Sequence, residues 1–255
     1  MTSTWAALTD TGQVRTENQD RALALELQGS AILLLVADGV GGAPGGALAS
    51  EETARVVREA FEEFAGAAPY AGLLLTAIKL ANERIRLLQE QKPEFASMAT
   101  TLVAAVVQDG AASVANVGDS RGYLFHVGKL AQVTEDDSWV AAEVRAGRLS
   151  PADAGTHPWR NVITRGIGVD DAAEPTVTTL ALEAGDALLL CTDGLFKMLP
   201  DDEISRILKL PEVVELFHKQ GVKPLGGTPD AFAAFLREQT IKWAKVVKES
   251  GAKAE

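Results

Sequence analysis

The chain has 255 residues, 47% of them hydrophobic, which supplies one sizeable core and room for one large or two small domains. Asp and Glu outnumber Lys and Arg by 35 to 24, a formal net charge of −11, so the polyanionic backbones of DNA and RNA are poor partners. A single cysteine, Cys191, excludes an internal disulfide framework and Cys-rich zinc sites.

The first residues, Met1-Thr2-Ser3-Thr4-Trp5, show no basic segment leading into an apolar core. No apolar run reaches the ~18 residues of a membrane span. A cytoplasmic protein off the membrane is expected. Asp20 precedes Arg21 and the first strand. Residues 31–37 (AILLLVA) form a continuous apolar run that stops at Asp38-Gly39, as a buried strand followed by a turn does. Residues 47–64 turn helical, with Ala54, Val57, Phe61 and Phe64 on one face. A second helix is predicted over 71–91, with Leu74, Ile78, Ala81, Ile85 and Leu88 as its apolar stripe, so the two helices form an antiparallel pair.

Strands then dominate. Residues 101–107 and 112–117 flank Asp109-Gly110, a strong hairpin signal. Residues 121–126 and 130–133 flank Val127-Gly128-Lys129. A short helix is predicted over 137–146, ended by Gly147, and residues 150–159 read as a loop or flap. Residues 177–182 and 187–192 are again strands, around Ala184-Gly185-Asp186. Sequential hairpins favour antiparallel sheets with helices packed outside them. Past about Leu208 the character changes. Gly226-Gly227-Thr228-Pro229 carries helix-start signals, a helix is predicted over 230–250, and no strand is evident after Thr192.

The chemistry sits where strands begin and end. Asp38 follows AILLLVA, Asp119 follows SVANVG, Asp193 follows ALLLCT, and Asp20 precedes the first strand. Carboxylates converging there repel one another unless a cation lies between them. With no His or Cys beside these positions, all-oxygen ligation points to Mg²⁺ or Mn²⁺ rather than Zn²⁺. Any one Asp-Gly pair is more simply a turn; the whole set at strand ends is not. Ser120 lacks the context of a nucleophile, Cys191 reads as a small buried hydrophobe, and His157 reads as ordering the flap. The Gly-rich stretch 39–46 is not followed by the Lys-Ser/Thr of a phosphate loop.

The ordered series TDTGQVRTENQD (9–20), VADGVGG with Gly46 and Ala49-Ser50 downstream, TTLVAAVV (100–107), VGDSRGYL (117–124), HPWRNVITRGIG (157–168) and LLLCTDGLFKML (188–199) resembles the metal-dependent Ser/Thr protein phosphatases of the PPM family (type 2C) over residues 5–207. The resemblance implies an α+β fold: a four-layer αββα sandwich of two antiparallel sheets flanked by helix pairs. It implies hydrolysis of phosphoserine and phosphothreonine in proteins, with two Mn²⁺ or Mg²⁺ ions and a weaker third. By the same resemblance Asp38 bridges two metals, the Gly39 carbonyl joins one, Asp193 ligates the other, Asp20 supports the site directly or through water, and Asp119 with Asp193 holds the third ion. Arg15 binds the substrate phosphate as a planar fork of donors. Two cations about 4 Å apart make hydroxide available from a bridging water at neutral pH. The implied partners are a phosphoprotein substrate and a Ser/Thr kinase of a bacterial signalling pair, with the chain a monomer.

The pattern departs from the family in several places. No His follows Asp38, and Asp137 stands where the family often has His. Val40 and Ala43 are tolerable changes. The family's final Asp-Asn motif, whose Asp ligates the metal that Asp193 also holds, is missing; Asp230 in GGTPD reads instead as the first turn of a helix. Residues 208–255 resemble the C-terminus of another family, the Bug-type solute-binding receptors of tripartite tricarboxylate transporters. The expected organisation is therefore a phosphatase domain, 1–207, and a helical tail of different origin, 208–255, packed on it with its helix replacing the last strand. The alternative function is an impaired phosphatase fold that binds phosphoproteins or a kinase.

Overall fold

The structure, a computed structural model, describes residues 3–40, 45–64, 69–169, 173–211 and 213. In chain order the elements are β1 (Asp20–Glu26), β2 (Ile32–Asp38), α1 (Gly46–Glu63), α2 (Tyr70–Gln91), β3 (Leu102–Gln108), β4 (Ala111–Val117), β5 (Arg121–His126), β6 (Lys129–Gln132), α3 (Trp139–Arg145), α4 (Pro151–Thr156), β7 (Thr176–Ala181), β8 (Ala187–Cys191), α5 (Asp193–Phe196) and α6 (Asp201–Leu208). Five strands form one sheet in the order β1-β2-β3-β4-β7, and three form another, β6-β5-β8. All pairings are antiparallel, as the run of hairpins predicts.

Strand alternation assigns the layers. Leu33, Leu35 and Ala37 of β2, with Leu102, Ala104 and Val106 of β3, join a core completed by Val57 and Phe61 of α1 and the whole stripe Leu74, Ile78, Ala81, Ile85 and Leu88 of α2. The opposite face of the same strands, Val36, Val103 and Ala105, packs with Leu188 and Leu190 of β8 between the sheets. This two-sided burial is why AILLLVA is apolar throughout rather than alternating. One helix-face expectation is corrected. Phe64 is 47% exposed, because α1 ends at Glu63 and the buried stripe runs through Ala49, Thr53, Val57, Ala60 and Phe61.

Two hairpins close through paired left-handed residues, Asp109-Gly110 (φ 50° and 75°) and Val127-Gly128 (φ 46° and 74°). That geometry matches the strand twist, and at Val127, a β-branched residue, it is an unfavourable backbone state. The segment 150–159, expected as a loop, contains α4. Its start is well specified: the Ser150 hydroxyl accepts from the Asp153 N–H at 3.1 Å, and Pro151 occupies the first helical turn, where its missing N–H is not needed. On the second sheet, α6 packs by β6, and the Tyr123 hydroxyl of β5 donates to Asp201 at 3.0 Å. One compact unit runs from Met1 to Leu216 and a second from Phe217 to Glu255; the latter, with the helix expected over 230–250, lies outside the described residues. Among those residues no strand follows β8, and no helix is long and apolar enough to cross a membrane.

Candidate active site

The site begins with a cross-strand pair. β1 and β2 align so that Asp20 lies opposite Asp38. The Gly39 N–H donates to the Gln19 carbonyl at 3.0 Å, which makes 19/39 the hydrogen-bonded pair and 20/38 the neighbouring non-hydrogen-bonded one. In such a pair the Cα atoms stand about 4.5 Å apart and the side chains come closest. Two carboxylates there are mutually unfavourable. Asp38 shares its face with Val36, so its side chain opens between the sheets, at the end of the core.

The backbone at Asp38 is fixed from the β3 side. Its N–H donates to Thr101 Oγ1 at 3.1 Å, and its carbonyl accepts from the Thr101 N–H at 2.9 Å and from Thr100 Oγ1 at 2.8 Å. Thr101 Oγ1 and Ser120 Oγ lie 2.7 Å apart, so Ser120 is a buried strut and not a poised nucleophile. Asp20 is held from the other sheet: Thr192 Oγ1, just past β8, donates to Asp20 Oδ2 at 2.9 Å. Glycine is required beside two of the carboxylates. A Cβ at Gly39 would lie 2.3 Å from the Gly46 carbonyl oxygen, and one at Gly118 (φ 107°) would lie 2.7 Å from the Thr101 side chain. Among the described residues no hydrogen bond is made to the Gly39 carbonyl.

These elements enclose a cleft of about 180 Å³ lined by Arg15, Asp38, Val40, Thr101, Asp119, Asn161, Ile163, Asp193 and Lys197. Arg15, on the exposed N-terminal segment, contributes a guanidinium whose hydrogen bond within the protein is long, 3.4 Å to Gln19 Oε1. Burial, then the charges of Asp20, Asp193 and Asp119, push the Asp38 carboxyl up to about 8. Asp119, 8% exposed, is pushed up to about 6 by burial and by Asp193, while the Lys197 charge pulls the other way.

Thus Arg15, Asp38, Asp119 and Asp193 come together in one cleft. Asp20 and Gly39 adjoin it through Asp38. The side chains are arrayed around the opening and not folded onto one point: among the described residues no three carboxylate, imidazole or thiol groups form a ready-made metal cage. The donor set still fits divalent cations of the Mg²⁺ or Mn²⁺ kind. It is all oxygen, and Asp38 is held in a field of negative charge that a bound cation relieves.

Residues the sequence reading passed over also shape the site. Lys197 lies in the quoted LLLCTDGLFKML motif, but a Lys four residues after an Asp reads as a surface helix pair. Here its Nζ reaches Asp193 Oδ2 at 2.5 Å and Asn161 Oδ1 at 2.8 Å. Asp137 has a structural role. Its carboxylate accepts from Arg165 at 2.6 Å and from the Gly118 N–H at 3.1 Å, joining the flap to the strand end that carries Asp119. His157 stacks on Trp139 at 4.8 Å and accepts from the Trp159 N–H at 3.1 Å, which is the flap-ordering role expected of it. Cys191 is buried, and burial pushes its thiol up to about 12, so it is not a thiolate nucleophile.

Comparison with known proteins places this geometry. The sequence model of the family described as protein phosphatase 2C matches residues 12–236, and the chain belongs to that family. The serine/threonine phosphatase stp of Listeria monocytogenes serotype 4b (strain F2365) is 38% identical over 204 residues, 79% of this chain and 81% of that protein. The serine/threonine protein phosphatase PstP of Mycobacterium tuberculosis (strain ATCC 25618 / H37Rv) is 37% identical over 227 residues, 89% of this chain and 43% of that protein. A crystal structure of the catalytic domain of PstP in complex with two manganese ions matches with a TM-score of 0.72 at 33% identity, covering 84% of this chain and 87% of that one. The match to residue 236 runs past the boundary at 207 drawn from the motifs.

Proposed function

We propose that this protein is a divalent-cation-dependent phosphatase that hydrolyses phosphoserine and phosphothreonine in proteins. The observation that carries the reading is the cleft itself: the half-buried Asp38 carboxylate, set opposite Asp20 across β1 and β2, shares one opening with Asp119, Asp193 and Arg15. Asp38, the Gly39 carbonyl, Asp193 and Asp20 would hold two Mn²⁺ or Mg²⁺ ions, directly or through water. Such a pair, when bound, activates water as the nucleophile and neutralises charge on the phosphoryl group. The chain's own residues do the rest. Arg15 offers paired N–H donors to the phosphate oxygens and orients the ester. Thr101 fixes the backbone of Asp38 and Thr192 holds the Asp20 carboxylate against rotation, so this corner of the site stays preorganised. Among the described residues no imidazole lines the cleft, so the departing serine or threonine oxygen takes its proton from water.

Asp119 and Asp193 would accept a third, weaker ion only where Lys197 does not already satisfy them. The substrates imply a Ser/Thr kinase that phosphorylates them, and we read the chain as a cytoplasmic monomer. Residues 208–255 are read as a tail of separate origin, against a family match that enters them as far as residue 236, and the chemistry above does not draw on them.

The test is hydrolysis of an aryl phosphate and of a phosphothreonine peptide, titrated with Mn²⁺, in wild type and Asp38→Ala. Metal-dependent turnover that Asp38→Ala abolishes is the expected result. Folded protein that turns over neither substrate at any Mn²⁺ concentration would return the chain to the phosphoprotein-binding alternative.

A further inference from the structure

Lys197 lines the cleft, and the phosphatase reading gives its charge no role. Arg15 and Lys197 are the cations among the cleft-lining residues, against Asp38, Asp119 and Asp193. Arg15 stands on the exposed N-terminal segment. Lys197 is held within the cleft wall, its ammonium 2.5 Å from Asp193 Oδ2 and 2.8 Å from Asn161 Oδ1. These partners come from different parts of the fold. Asp193 opens α5, and Asn161 lies in the segment after α4 that reaches over the cleft.

An exposed i,i+4 ion pair on a helix is worth little and exchanges readily. This pair differs in three respects. The side chains of Lys197 and Asp193 are 35% and 34% exposed, so both are partly shielded. The ammonium is shared with a third group from another segment. The short helix beneath is itself pinned, because the Arg121 guanidinium lies 3.8 Å over the Phe196 ring, and the Lys197 N–H bonds the Asp193 carbonyl at 3.0 Å. Asp193 and the buried Asp119 line the same cleft as Lys197. An ammonium is a compact point charge with three donors and no acceptor. It therefore does for the Asp193 carboxylate what a weakly bound metal ion would do, without dissociating.

We propose that Lys197 is a built-in cation that occupies the Asp193 carboxylate, beside Asp119, in place of a third divalent ion, and that through Asn161 it latches the flap to the cleft floor. The proposal rests on the metal-dependent reading above. It makes Lys197 a positioning residue: it fixes Asp193 and the flap, and leaves the metal requirement at two ions.

The experiment compares wild type, Lys197→Met, which keeps length and apolar stem but removes the charge, and Lys197→Arg, which keeps the charge. Bound Mn²⁺ is counted by electron paramagnetic resonance of the free ion. Amide hydrogen exchange of residues 157–168 is followed in the same samples, and circular dichroism verifies that each variant is folded. Lys197→Met is expected to take up one more Mn²⁺ than wild type, at millimolar concentration, and to exchange the 157–168 amides about tenfold faster, as loss of a supporting contact would allow. Lys197→Arg is expected to keep the wild-type count. Equal, non-zero counts in wild type and Lys197→Met would overturn the proposal while leaving the two-metal reading intact. A third ion already bound by wild type would overturn it as well. No Mn²⁺ bound by any of the three proteins would overturn the metal-dependent reading itself, and this proposal with it.

Discussion

Gly39 shows how little room the site has. A methyl group there would lie 2.3 Å from the Gly46 oxygen and 2.8 Å from the Gln19 oxygen, and both are backbone atoms that cannot swing aside. The turn after β2 must therefore open to admit any side chain. Gly39→Ala is expected to destabilise the protein by about 1–3 kcal/mol, the usual cost of overpacking, and to weaken Mn²⁺ binding because Asp38 moves with the turn. Urea denaturation and Mn²⁺ titration check the two parts separately; unchanged stability would mean the turn has slack that the contacts do not show. Asp38 and Gly39 were legible in sequence only as part of a set: one Asp-Gly after an apolar strand is more simply a turn, but several Asp at strand ends in one chain are not. Asp119, in Gly-Asp-Ser, and Asp193, in Asp-Gly, were legible as members of the same set of aspartates at strand ends. Lys197 was not: its meaning depends on a flap segment 36 residues earlier in the chain, and no local pattern announces that contact. Thr101 and Thr192 were equally silent, because threonine at a strand end is favoured by β propensity alone.

At the scale of elements, the hairpins and the two long helices were readable from period and turn chemistry, whereas the flap was not. Its order comes from long-range polar contacts rather than from an apolar stripe. Asp137 is the centre of these. Its side chain is 8% exposed and pairs with Arg165, its N–H donates to the Gly118 carbonyl, and its own carbonyl accepts from Thr164. Arg165 in turn donates to the Glu174 carbonyl at 2.9 Å, so one guanidinium ties the end of the flap to the approach to β7. Removing Arg165 leaves a buried carboxylate with only the Gly118 N–H, and stranding a buried charge is costly. Arg165→Ala is expected to lower stability by about 2–3 kcal/mol and to raise KM for phosphopeptide more than for a small aryl phosphate, since only the larger substrate needs an ordered flap. Equal effects on both substrates would place the role of Arg165 in the cleft itself. The charge of Asp137 is thus balanced locally by the Arg165 pair.

For the whole molecule, the two raised carboxyls set how stability depends on pH when metal is absent. Asp38 goes from an ordinary value of 3.8 to about 8 in the folded state, and Asp119 from 3.8 to about 6. Between the unfolded and folded values the native protein binds more protons than the unfolded chain, so stability falls as pH rises through that window. Glu52 works in the opposite sense. Its bonds to Arg55 and Arg84 lower it from 4.5 to about 2, and that contribution is present above pH 4.5 and lost as pH falls towards 2. The metal-free protein is therefore expected to be most stable in mildly acid solution and to lose on the order of 2 kcal/mol between pH 6 and pH 8, chiefly through Asp38. Divalent cations reverse the trend, because they bind the ionised carboxylates and displace the proton, and ligand binding to the native state adds stability that grows with the logarithm of cation concentration above its dissociation constant. Urea denaturation at pH 6 and pH 8, with EDTA and with Mn²⁺, separates these effects. A metal-free midpoint that does not fall towards pH 8 would mean that the Asp38 carboxyl is already ionised and that its neighbours are neutralised by the protein itself. A midpoint that falls in EDTA and recovers in Mn²⁺ would show that the fold carries an electrostatic strain which the cation, and not the chain, is built to relieve.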